Sequence, residues 1–97
     1  MTLTHGFYVA PRLGRWRVRV SAISLIQGNY CRVYGTIESF SDPILVGRET
    51  MFMLGVSAET RHLLDRAEVD RKVIEVETRE VSLRRGGTCL VTSLVAP

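Results

Sequence analysis

From Arg15 to Val20 the chain alternates strictly, with Arg15, Arg17 and Arg19 on one phase and Trp16, Val18 and Val20 on the other. Successive side chains of an extended chain point to opposite faces, whereas a helix repeats every 3.6 residues. The stretch therefore fits a strand with one wet face and one buried face. It predicts a strand that continues through Ala22–Ile26 and ends at Gln27-Gly28-Asn29, a turn signal. Beyond that turn Cys31, Val33, Gly35 and Ile37 alternate with Tyr30, Arg32, Tyr34 and Thr36, which predicts a second strand, Tyr30–Ser39, antiparallel to the first.

Ser41-Asp42-Pro43 breaks the pattern and Gly47 closes the connection. Glu49–Val56, rich in Met, Phe and Val, reads as a third and largely buried strand. Neighbours on a strand face opposite ways, so exposure falls either on Phe52 or on the pair Met51 and Met53. An exposed Phe52 offers an aromatic platform, and an exposed methionine pair points to a protein partner. The period then changes. Ser57 is placed to cap a helix with Glu59 in its first turn, and Val56, Thr60, Leu63, Leu64 and Ala67 share one face, predicting a helix over Ala58–Glu68. Alternation returns over Lys72–Leu83. Arg84-Arg85-Gly86-Gly87 makes a tight basic turn, and Thr88–Val95 is the last strand, either core or an interface between copies. Residues 1–14 have no sustained period and read as an arm, with an extended piece at Phe7–Ala10, leading into one domain over residues 15–97.

An apolar content of 45% is too high for disorder, and no apolar run approaches the roughly 18 residues that span a membrane. No secretory signal is legible in the first residues, so a cytoplasmic location is expected. Cys31 and Cys89 both sit in apolar runs and are expected to be packed, reduced thiols. The net charge is +3, but it is divided unevenly: residues 1–37 hold five arginines and no acid, whereas all ten acids lie within residues 38–80. Such asymmetry points to an anionic partner for the basic part. Twelve of the thirteen bases are arginine, the better residue for phosphate forks and base stacking.

The order strand, strand, strand, helix, strand, strand resembles the OB (oligonucleotide/oligosaccharide-binding) fold. The glycine inside the second strand, Gly35, the helix after the third strand and the Arg84–Thr88 hairpin carry the resemblance, which covers about residues 15–97. It implies an all-β, five-stranded OB-type barrel with one helix between strands 3 and 4, a better match than an SH3-like barrel, for which an eleven-residue helix there is unusual. It also implies a ligand surface on the outer face of strands two and three, flanked by the loops between strands one and two and between four and five.

The outward phases of the first two strands collect Arg15, Arg17, Arg19, Tyr30, Arg32 and Tyr34. Guanidinium groups for phosphates interleaved with rings for unstacked bases are what a single strand requires. Arg84 and Arg85 at the hairpin tip are expected to clamp, with Arg48, Phe52 and the arm's Arg12 extending the groove. Trp16, on the opposite phase from the arginines, is expected inside. Glu75, Glu77 and Glu80 read as a solvated face that keeps nucleic acid off that side. His5 and His62 have no ligand-spaced partners, and no nucleophile or phosphate-loop motif occurs, so no catalysis, metal or cofactor is expected. The reading is a non-catalytic protein that binds single-stranded nucleic acid, DNA in preference to RNA, as a homodimer or higher oligomer. The alternative is a protein-interaction barrel acting as a subunit of a larger assembly, and a weaker third is a sensor for a small anion or sugar.

Overall fold

The computed structural model describes residues 8–96, apart from the side chains of 25–27 and 96. His5 and the first residue of the extended piece at Phe7–Ala10 lie outside them. Five strands, β1 (Gly14–Gln27), β2 (Tyr30–Ser39), β3 (Glu49–Gly55), β4 (Val73–Ser82) and β5 (Thr88–Ala96), close into a barrel in the order β1-β2-β3-β5-β4. One helix, α1 (Ala58–Asp70), stands between β3 and β4. The fold class and the element order agree with the sequence reading. A short 3-10 helix at Pro43–Leu45, which the Ser41-Asp42-Pro43 break did not announce, starts where the Asp42 side chain accepts a bond from the Ile44 amide.

β1 is long because it serves two neighbours. Its first half pairs with β4 (Trp16 opposite Val76, Val18 opposite Ile74), and its length from Arg17 onward pairs with β2. A strand that belongs to both sides of a small barrel must coil sharply, and the register with β2 slips between Val20 and Ala22, leaving Ser21 as the extra residue of a bulge. The Ser21 hydroxyl donates to the Tyr34 carbonyl. Gly35 sits against this bend, where a Cβ would collide with the Arg19 carbonyl and the Val18 side chain. The glycine in the second strand is thus a requirement of close backbone approach.

Inside, Trp16, Val18, Val20, Cys31, Val33, Ile37, Phe52, Leu54, Ile74 and Val76 pack with Leu64 and Ala67 of α1. Trp16 is inward, as its phase predicted, and meets Phe52 and Phe40 edge to face at 5.2 and 6.2 Å. Its indole nitrogen donates to the Thr78 hydroxyl at 3.1 Å, which shares a 2.7 Å bond with the Thr92 hydroxyl, so the buried polar atoms of β1, β4 and β5 satisfy one another. α1 begins at Ser57, whose hydroxyl accepts from the Thr60 amide, and runs two residues past the expected end because Arg71 takes the left-handed conformation (φ 52°) that caps it. Glu68 accepts from the Ile23 amide at 2.7 Å, tying the helix to the coiled part of β1.

The barrel closes between β3 and β5 through a single parallel bridge, Leu54 to Thr92. Along the same edge of β3 the arm is laid down at Val9, whose amide donates to Glu49 and whose carbonyl accepts from the Thr50 hydroxyl.

Gly35→Ala is expected to cost about 1–3 kcal/mol, because the colliding atom is backbone and cannot swing aside. A lowered urea midpoint with an unchanged slope checks it.

Candidate functional site

The antiparallel registers set out the outer face of β2 and β3. Tyr34 stands beside Ala22 on β1 and Met51 on β3, Arg32 stands between Ser24 and Met53, and Tyr30 lies opposite Gly55. The missing side chain at Gly55 leaves room for the Tyr30 ring, which remains 55% exposed. Arg32 has no carboxylate within 4.0 Å among the described residues. Tyr34 is half-buried, because Tyr8 of the arm packs edge-on to it at 5.7 Å between ring centres. Its ring therefore has one neighbour already, and a base stacking there has to displace or join Tyr8.

Phe52 is not on this face. It is 4% exposed and packed against Trp16, so the choice left open by the strand phase falls to the methionines: Met53 is 50% exposed and Met51 is half-buried. Phe52 serves the interior because the barrel needs a large ring opposite Trp16. Only the floor of a neighbouring groove touches it. That groove, of about 410 Å³, runs along the β3–β5 seam between Tyr30, Met53 and Gly55 on one wall and Leu90, Val91 and Thr92 on the other, with Pro11 of the arm alongside.

The arginines divide. Arg15 lies beside Glu75 and Glu77, with nitrogen–oxygen separations of 3.8 and 3.9 Å, and Arg17 is directly across from Glu75. The acids of β4 are therefore not on a separate side of the molecule; they are the cross-strand partners of the β1 arginines. Arg19 bonds Glu38 at 3.3 Å and donates to the Arg71 carbonyl at 2.9 Å, holding the exit of α1. These contacts make the β1 row close to neutral and give Arg19 a structural task. Arg48 precedes β3 at the Thr36 end of the sheet, away from Tyr30. Arg84 and Arg85 occupy the turn closed by the Leu83 and Gly87 backbone. The groove wall is the Leu90–Thr92 part of the hairpin, and the tip stands roughly 10 Å beyond it at the usual rise per strand residue. Arg12 is exposed on the arm, next to the groove's Pro11.

The structure therefore brings together Tyr30, Arg32 and Tyr34, and it adds Tyr8, Met53, Leu90 and Val91. Tyr8 was hidden in an arm without periodicity. Leu90 and Val91 belong to a run as apolar as a core strand, and nothing in the run itself tells a wet strand from a dry one. Among the described residues no group of three or more His, Cys, Asp or Glu side chains is arranged to hold a metal ion, and no helix is long and apolar enough to cross a membrane.

The two thiols differ. Cys31 is buried in the barrel, and burial pushes its thiol up from the ordinary value, with Asp65 adding to the rise and Arg61 opposing it. Cys89 was expected to pack as Cys31 does, but it is exposed, because β5 joins the barrel only at Thr92, three residues further on. A maleimide at neutral pH is expected to label one thiol per folded chain, at Cys89, and two after denaturation; mass spectrometry of the peptides reads the outcome. No family model matches the chain, and comparison with curated proteins and with solved structures finds no match.

Proposed function

We propose that this protein is an OB-type barrel that binds single-stranded nucleic acid, DNA in preference to RNA, without catalysing a reaction. The observation that carries the reading is the pairing of an exposed Tyr30 with an Arg32 free of carboxylates, side by side on β2 at the mouth of the seam groove. One supplies a face on which a base stacks, and the other a fork for the adjoining phosphate. Met53 is a flexible neighbour that adapts to bases of different size. The resemblance to the OB fold supports the location, since its ligand surface is the outer face of the second and third strands. Compared with the arginine-lined strip read from the sequence, the proposed track is shorter and shifted from β1 towards β3.

The outward methionines favour a second reading, in which the same face receives a protein and the barrel is a subunit of a larger assembly. The two readings part on salt and on strandedness.

Fluorescence anisotropy with labelled single strands and matched duplex of about 20 nucleotides is expected to show preference for the single strand, with log affinity falling linearly in log salt. Tyr30→Ala is expected to weaken binding roughly 5- to 100-fold, the range for one lost stacking contact. Arg32→Ala is expected to weaken binding and flatten the salt dependence, whereas Arg15→Ala, already facing carboxylates, leaves both unchanged. Absence of binding at low salt overturns the nucleic acid reading in favour of the protein one.

A further inference from the structure

The β4–β5 hairpin is built differently from the rest of the barrel. Every residue from Arg79 to Val91 is exposed, yet Val81, Leu83, Leu90 and Val91 are large and apolar. A two-stranded ribbon wetted on both faces is marginal in water, and natural edge strands are usually blunted by charge or proline. β5 carries neither from Thr88 to Ala96, and its edge before Thr92 has no strand beside it.

The register sorts this surface. Thr78 and Thr92 point inward, so Arg79, Val81, Cys89 and Val91 project outward, in line with Glu77 and Ser93 further down. Read along β4, the outer face carries Glu75 and Glu77 at one end and an apolar middle at Val81 and its cross-strand partner Cys89. The other end is Arg84 and Arg85. With the outward Arg79 set beside Glu75 and Glu77, the two acids and one base leave that side of the Val81–Cys89 pair at net −1, against two arginines on the other. A two-fold axis through that pair sets position n of one hairpin against position 162 minus n of the other, bringing Arg85 onto Glu77, the alkyl stem of Arg79 onto Leu83 and Val81 onto Val81. A patch that is its own complement in this way is the signature of an isologous contact.

We infer that the outer face of the β4–β5 hairpin is a docking surface for a second copy of this chain, packed antiparallel about Val81 and Cys89. The apolar middle supplies the affinity, and the charges at the ends set register and direction. Glu75 and Glu77 are shared with Arg15 and Arg17 across the β1–β4 ladder, and the tip arginines have no carboxylate within 4.0 Å among the described residues. In this arrangement Arg84 and Arg85 serve the partner copy, and Val91, which also lines the seam groove, stands where the contact borders the Tyr30 face. The inference does not depend on what that face binds.

Sedimentation velocity across the micromolar range is expected to show a monomer–dimer equilibrium. Arg84→Glu with Arg85→Glu is expected to weaken it at least tenfold, as is Glu75→Arg with Glu77→Arg. Joining all four substitutions in one chain is expected to restore dimerisation, because the charge pattern is then reversed but still complementary. A short bismaleimide is expected to link two copies through Cys89, and Cys89→Ser abolishes the link. An unchanged Trp16 emission spectrum shows that each variant is folded. A wild type that stays monomeric overturns the inference, as does a dimer that ignores both charge reversals or gives no Cys89 cross-link. Tyr30→Ala separates the two proposals: it weakens single-strand binding while leaving the dimer unchanged.

Discussion

The coil of β1 is the constraint on which everything else rests. Five strands form a closed barrel only if one of them turns from one side of the cylinder to the other, and here that strand must face β4 and then β2 within fourteen residues. The bulge at Ser21 provides the extra residue, and Gly35 provides the space behind it. The bend brings Trp16 over Phe52 and Thr78, directs the Ile23 amide to Glu68, and sets Arg19 against the end of α1. Each of these contacts joins elements distant in sequence, and none forms if β1 runs straight.

Barrel closure also redistributes charge. Along the chain, the arginines of β1 and the acids of β4 look like separate basic and acidic provinces. Closing the cylinder lays the two rows side by side, so fields that appear strong in sequence largely cancel in space. Such exposed pairs contribute little to stability, typically about 0–1 kcal/mol each. Their larger effect is to leave net positive character where the acids do not reach: at Arg32, on the arm and at the hairpin tip.

Most of the fold was legible because its signals are local. Alternation marked β1, β2 and β4, Ser57 marked the start of α1, and Gly28-Asn29 and Gly86-Gly87 marked the hairpin turns. The phase of Trp16 placed it correctly inside. What failed to show was whatever depends on pairing across the barrel. Phase alone could not decide between Phe52 and its methionine neighbours, since that depends on which of them faces Trp16. The same holds for Arg15 and Arg19, whose alternation gave the right face but not the carboxylates beside them. Cys89 and Leu90 have the composition of buried strand residues, and only the length of the hairpin relative to the barrel shows that they are wet. The exposed phase that carries Tyr30, Arg32 and Tyr34 was therefore legible, and the neighbours that barrel closure gives it were not.

Unrolled, the molecule is one continuous antiparallel sheet in the order β3-β2-β1-β4-β5, curled until its two outer strands touch. They touch at one residue pair, Leu54 and Thr92, whereas every other seam is a full ladder. The cylinder is accordingly hydrogen-bonded strand to strand all round except along that line. The groove lies on the line, with Tyr30 and Met53 riding on one flank and Leu90 and Val91 on the other. One bridge is all that joins the two flanks, so the width of the gap is the one dimension of the barrel that no ladder fixes.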